Sequence, residues 1–272
     1  MFLTEANYYS KEANEQFLSV SQYKDFCGTM KQRGCEAKAM AKLRGEWQEQ
    51  PSEAMLLGSY LDAHFEGTLD IFRMKHPEIF RKKDAELYAK FQRAEVTIQM
   101  LEQDELFMDA MSGEKQVILT AELFGAMWKC KLDSLQLHRC IVDLKYIKDL
   151  HERFWVKDEG CFVSFPEWWG YDIQGAIYQK IVEIVYGEKL PFYLAAVDKK
   201  KVPDKDIVSF DEENKPVGSG FEDILNEVER NVPRILQVKS GEVEPDRCGV
   251  CDYCRATRKL TRPVYFRDLI EV

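Results

Sequence analysis

Three side chains in the middle of the chain, Asp133, Asp143 and Lys145, carry groups suited to hydrolysis at a phosphate. Within a strand, residues i and i+2 share a face, so Asp143 and Lys145 project together while Val142 and Leu144 face the apolar side. If Asp133, late in the preceding strand, reaches that same face, two carboxylates and one ammonium converge. Carboxylate oxygens are hard ligands for Mg²⁺ or Mn²⁺. A lysine beside them orients an attacking water or stabilises negative charge gathering on a phosphate. The competing reading of an isolated Asp-x-Lys is a salt bridge on a solvated strand face. Two further polar lines extend the pattern. Gln174 and Tyr178 stand at i and i+4 of a predicted helix, and Gly58, Asp62 and Glu66 are spaced by four on another.

A second constellation is Cys248-Gly249-Val250-Cys251-Asp252-Tyr253-Cys254, a C-x2-C-x2-C run. Three thiols at this density suit one soft centre, and a tetrahedral Zn²⁺ or a [4Fe–4S] cluster requires a fourth ligand. Cys35 is the expected fourth ligand and Cys27 the alternative; the competing reading is a reduced, metal-free cluster on a loop. Of the eight cysteines, Cys130, Cys140 and Cys161 sit in apolar or strand settings and read as small core residues.

These groups need elements to hold them. The first third reads as helical: Ser19 to Phe26 opens on capping hydroxyls, Cys35 to Arg44 ends at Gly45, Ser52 to Lys75 is periodic up to Pro77, and a fourth helix runs from Ala85 to Met111. The period then changes. Val117–Phe124, Met127–Leu135 and Cys140–Ile147 read as three strands of an antiparallel meander. In the second, Trp128, Cys130 and Leu132 face one way and Lys129, Lys131 and Asp133 the other. Helix returns over Phe165–Tyr186, followed by a strand from Pro191 to Val197, a charged loop over 199–220 with a short strand at 207–210, and an amphipathic helix from Phe221 to Val238 bent or interrupted near Pro233. One α/β domain with helical additions is the expected architecture.

The ordered combination of helix glutamate, strand aspartate, Asp-x-Lys and Gln-x-x-x-Tyr resembles the RecB-like branch of the PD-(D/E)xK nuclease superfamily, above all the phage and prophage exodeoxyribonuclease VIII-type proteins. Gly125 through Asp133, Ile141 through Lys145 and Gln174 through Tyr178 carry the match. Ser19–Tyr23 and Gly58–Asp62 extend it, so that it spans about residues 17 to 255. The resemblance implies a restriction-endonuclease-like core, a mixed sheet with an antiparallel meander flanked by helices, in a single nuclease domain over 1–272. Its parts would be a helical segment over 1–113, a catalytic core over 114–240 and a metal-binding tail over 241–272. It further implies that Asp133, Asp143 and the main-chain carbonyl of Leu144 bind the catalytic metal. Lys145 would position the attacking water, Glu66 would assist, and Gln174 and Tyr178 would contact DNA or brace the site. Where relatives place a metal-binding histidine four residues after the glycine, this chain has Asp62, itself a competent ligand for Mg²⁺ or Mn²⁺; the nearby His64 reads as a surface or packing residue. Helicase-associated and CRISPR-associated iron–sulfur nucleases of the superfamily place one cysteine before the core and three after it. Cys35 matches the first of these, whereas the spacing of the last three is tighter here.

The function implied by resemblance is a metal-dependent deoxyribonuclease acting on ends of linear duplex DNA, 5′ to 3′, beside a single-strand annealing protein and as a homo-oligomer. Two alternatives stand: an endonuclease or CRISPR-adaptation-like iron–sulfur nuclease, and a non-catalytic zinc or iron–sulfur DNA-binding module. Composition limits the field. Apolar residues are 45% and charged residues 31%, a globular profile, and the formal net charge is −9 from 38 basic and 47 acidic residues. That sign describes the whole surface and leaves the potential of one cleft open. No apolar run approaches the ~18 residues of a membrane helix and no signal core follows Met1, so a cytoplasmic location is expected. No glycine-rich phosphate loop is present, which argues against an ATP motor. The aromatics Phe165, Trp168, Trp169 and Tyr171 read as packing, Lys199–Lys201 as a solvated face, and Lys129, Lys131 and the basic tail from Arg255 to Arg262 as candidate backbone contacts.

Overall fold

Eleven α-helices and ten strands follow in order in the computed structural model, which describes residues 1–50, 52–84, 86–157, 159–211 and 214–267. Ala85, the expected start of a helix, residues 212 and 213 of the charged loop, and the last five residues of the tail lie outside the described residues. The helices of the first third are α1 (Lys11–Gln16), α2 (Val20–Cys27), α3 (Glu36–Arg44), α4 (Glu53–Glu66), α5 (Leu69–Lys75), α6 (Arg93–Glu102) and α7 (Glu105–Ala110), with a small hairpin of β1 (Gly28–Thr29) and β2 (Gln32–Arg33) after α2. Ser19 and Ser52 cap α2 and α4 by accepting from the amides of Gln22 and Met55.

Two expected long helices are each two. The stretch from Ser52 to Lys75 breaks at Gly67, whose φ of +74° closes α4 in the left-handed conformation and reorients the chain into α5. The stretch up to Met111 begins only at Arg93, and Asp104 starts a new helix by accepting from the Phe107 amide. The same device divides Phe165–Tyr186. Gly170, with φ +65°, separates α8 (Phe165–Trp169) from α9 (Tyr171–Tyr186). Conversely, α10 (Glu222–Ser240) runs through Pro233 without interruption.

The strands β3 (Val117–Leu123) and β4 (Ala126–Leu132) form an antiparallel hairpin. The chain then steps at Asp133 into β5 (Ser134–Gln136), which pairs antiparallel with β6 (Cys140–Ile147). The expected meander is therefore two hairpins in separate sheets, because the strand read as continuous from Met127 to Leu135 breaks at Asp133. A further hairpin of β7 (Phe154–Val156) and β8 (Cys161–Val163) precedes α8 and leaves Cys161 exposed, not in the core as its sequence setting suggested. After α9, β9 (Phe192–Asp198) pairs parallel with β6, and β10 (Lys205–Ser209) pairs antiparallel with β9, giving a mixed sheet ordered β10-β9-β6-β5. A parallel pair needs a crossover, and α8 and α9 supply it. The chain ends in α11 (Asp252–Ala256).

Both faces of the central strands are buried, as a parallel pair covered by helices requires. Ile141 and Ile147 of β6 and Leu194 and Ala196 of β9 pack with Ile177, Ile181 and Val182 of α9. Val142 and Leu144 of β6 and Ala195 and Val197 of β9 pack with Leu57, Leu61 and Ile98 of α4 and α6. Asp143 and Lys145, in phase with Ile141 and Ile147, are thereby placed on the α9 side, as their spacing predicts.

Candidate active site

The α9 side of β6 opens into a cleft of about 460 Å³, lined by Asp62, Asp133, Asp143, Leu144, Lys145, Gln174 and Tyr178 together with residues of the first two helices and of β4. The functional side chains come from four separate places in the fold. Asp62 projects from α4, Asp133 from the step between β4 and β5, Asp143 and Lys145 from β6, and Gln174 and Tyr178 from one face of α9.

Asp133 reaches β6 directly: its Oδ2 accepts from the Leu144 amide at 2.9 Å and its Oδ1 from Gln116 Nε2 at 3.3 Å. Asp143 is 3% exposed; its Oδ1 accepts from Gln174 Nε2 at 2.7 Å and its Oδ2 pairs with Lys145 Nζ. Lys145 also donates to the Leu144 carbonyl at 3.4 Å and lies over the Tyr171 ring, 5.1 Å from its centre. Burial and then the neighbouring charge of Asp143 push the Asp133 carboxyl up to about 7. Burial and then Asp133 raise Asp62 well above the ordinary carboxylate range. Burial works against the charge on Lys145, but Asp143, Tyr171 and Asp133 outweigh it and hold the ammonium protonated above the ordinary lysine value.

This donor set fits a hard divalent cation. Three carboxylates and Leu144 line one cavity, and burial, followed by the charge of Asp143, keeps Asp133 partly protonated near neutrality. A cation there would offset both the burial of these charges and their repulsion. Glu66 takes a different place. It lies in a small recess behind the cleft with Asp62, Gln116 and Asp133, and its Oε2 accepts from Thr68 Oγ1 at 3.1 Å. His64 pairs with Glu102 at 2.9 Å, in the surface role expected of it.

Opposite the acids stands a wall that only the fold reveals. Residues 1–17 fold across β4, bringing Tyr8, Tyr9 and Asn14 to the cleft. Lys129 is 1% exposed, held by the Tyr8 carbonyl and by Asn14 Oδ1 at 2.8 Å, and burial brings its pKa down to about 8. It braces the N-terminal segment rather than meeting a phosphate. Lys131, beside Tyr9, keeps its ammonium at the cleft. Lys24 of α2 donates to the carbonyls of Trp169 and Gly170 at 3.2 and 3.3 Å, and burial followed by Lys145's charge brings it to about 8. Sequence reasoning passed over Lys24 and the two tyrosines. For Lys24 the signal available was its place next to the Ser19–Tyr23 segment; the tyrosines carried none.

Four of the cysteines gather as the sequence suggests. Cys35, Cys248, Cys251 and Cys254 bring their sulfurs to within 4.8 Å of one another, while Cys27 is exposed and outside the group. Of the aromatics, Phe165 is buried and Trp168 stacks on Phe154 at 4.8 Å, whereas Trp169 is half open beneath Lys31. Among the described residues, no helix is long and apolar enough to cross a membrane.

The chain is 50% identical to a candidate exonuclease from Eubacterium rectale whose crystal structure it matches with a TM-score of 0.92, over 99% of this chain and 98% of that one. No curated protein matches it. The family model described as the PDDEXK-like domain of unknown function DUF3799 matches residues 19–257, a span that contains the acids, the lysine, the α9 pair and all four clustered cysteines. The fold, the cleft and that match together make the chain a member of the PDDEXK-like family.

Proposed function

We propose that the protein is a divalent-metal-dependent deoxyribonuclease that degrades linear duplex DNA from its ends. The observation that carries this reading is the convergence of Asp133, Asp143 and Lys145 in one cleft, with Gln174 fixing Asp143 from the opposite helix. Asp133, Asp143 and the Leu144 carbonyl would hold the ion, with Asp62 as a further donor. When bound, the ion would polarise the scissile phosphate and acidify the attacking water. The chain's own groups then have distinct tasks. Lys145, kept charged by Asp143, orients the water and meets the negative charge that develops on the phosphate oxygens. Gln174 holds Asp143 in one rotamer, so that its second oxygen keeps facing Lys145. Tyr178, whose phenol burial keeps neutral, completes the wall of the cleft beside Asp143. Lys131 and Lys24 supply positive potential along the path of the backbone, which explains how a chain of net charge −9 can accept DNA.

The exonuclease part of the proposal is supported by the description of the half-identical Eubacterium rectale protein. Polarity from 5′ to 3′, a single-strand annealing partner and a homo-oligomer around DNA follow from the family resemblance of the motifs and belong to the same proposal. Digestion of duplexes labelled at either the 5′ or the 3′ end, against a covalently closed circle, tests it. Label release from the linear substrates with the circle intact is the expected result. Cleavage of the closed circle would replace the exonuclease reading with an endonuclease.

A further inference from the structure

The four-cysteine group carries a sharper statement than its sequence allowed. Cys35 Sγ lies 3.6 Å from Cys254 Sγ, and Cys248 Sγ lies 4.0 Å from Cys254 Sγ, with all four sulfurs within 4.8 Å of one another. Four thiolates around one zinc at about 2.3 Å stand about 3.8 Å apart at tetrahedral angles. In a four-iron cluster each thiolate binds a different corner of the cube, which spreads the sulfurs to roughly 6 Å. The separations here leave room for one ion and none for a cube. They are also too long for a disulfide, in which bonded sulfurs stand about 2 Å apart.

The surroundings suit thiolates. Cys35 is the N-cap of α3 and accepts from the Lys38 amide at 3.5 Å; Cys251 is the N-cap of α11 and accepts from the Cys254 amide at 3.5 Å; Cys248 accepts from the Cys251 amide at 3.4 Å. Amide donors at three of the four sulfurs offset the charge of a tetrathiolate site and fix its orientation. The flanking contacts fasten the same junction. Arg234 of α10 grips Glu36 with two hydrogen bonds of 2.9 and 2.8 Å, and the Ala37 amide donates to the Asp246 carbonyl at 3.0 Å.

We propose that Cys35, Cys248, Cys251 and Cys254 bind a single Zn²⁺ in a closed tetrahedral site that ties the C-terminal tail to α3. The inference does not depend on the nuclease reading. Its consequence for the cleft is mechanical: α3 packs on α2, and α2 carries Lys24 into the basic wall.

The test is metal analysis of the full-length protein expressed with iron and zinc both supplied. One zinc per chain, no acid-labile sulfide and no brown absorbance are expected. Replacing zinc by Co²⁺ in the wild-type chain should give the intense visible ligand-field bands of tetrahedral cobalt thiolate. Cys35→Ser should lose the metal and Cys27→Ser should keep it at full stoichiometry. Should Cys35→Ser fail to fold, the wild-type cobalt spectrum still decides the point. Iron and sulfide at about four per chain would overturn the proposal in favour of a cluster. A single iron per chain, or a folded chain with no metal and four titratable thiols, would overturn it as well.

Discussion

Asp133 gives the proposed metal site a pH dependence that an ordinary carboxylate would not. Its carboxyl is raised from 3.8 to about 7 by burial and by Asp143, so the folded, metal-free protein holds a proton there that the unfolded chain has already released. Between about pH 4 and 7 the native state binds more protons than the unfolded state, so the stability of the metal-free protein falls as pH rises through that window. Metal binding has the opposite sign, because a carboxylate must lose its proton to become a ligand. With a pKa of about 7, roughly one-tenth of Asp133 is ionised at pH 6 and roughly nine-tenths at pH 8, so Mg²⁺ or Mn²⁺ should bind about tenfold more tightly at pH 8. That is about 1.4 kcal/mol, well within reach of titration calorimetry. The Asp133→Asn protein should lose Asp133's share of this dependence and keep only what the raised carboxyl of Asp62 contributes. It should also melt higher than wild type without metal, since the amide keeps an acceptor for the Leu144 amide and removes a charge. Equal affinity at pH 6 and pH 8, or a pH dependence left unchanged by Asp133→Asn, would refute the reasoning.

Gln174→Ala removes the donor to a nearly buried carboxylate oxygen and should cost about 1–3 kcal/mol in chemical denaturation, with loss of metal affinity or activity of roughly 10- to 100-fold. At Gly175, an added Cβ would stand 2.6 Å from Phe192 and 2.7 Å from Phe221, so Gly175→Ala should destabilise by about 1–3 kcal/mol in the same assay and shift the adjacent Gln174. Lys131→Ala should weaken binding of a short duplex in a fluorescence titration and lower its salt slope by about one, with little change in melting temperature.

The local periods explain what could be read ahead of the fold. Asp143 and Lys145 share a face because a strand alternates, and Gln174 and Tyr178 share one because a helix repeats, so both pairs were visible in one dimension. That the two pairs face each other depends on β9 pairing parallel with β6 and on α9 crossing between them, a relation among distant segments that carries no local period. The N-terminal wall was hidden for a related reason: nothing in Tyr8, Tyr9 or Asn14 tells that residues 1–17 lie across β4, and Lys129 reads as a surface charge until that cover is in place. Helix ends at Gly67 and Gly170 were missed because the apolar repeat continues on both sides of each glycine and outweighed the stop signal. The exposed Cys161 belongs to a three-residue strand pair, too short to show alternation. The cysteine group, by contrast, was legible because the spacing of three thiols already demands a fourth, and only the distances between sulfurs distinguish one ion from a cluster.

Asp143 and Lys145 stand at the heart of the proposed hydrolytic centre. The most direct measurement is digestion of end-labelled linear duplex DNA with Mg²⁺ by the wild-type, Asp143→Asn and Lys145→Ala proteins, each first shown to be folded by its melting curve. Loss of label is expected with wild type, and a loss of rate of at least 100-fold in both variants. Degradation at the wild-type rate by either folded variant would contradict that expectation.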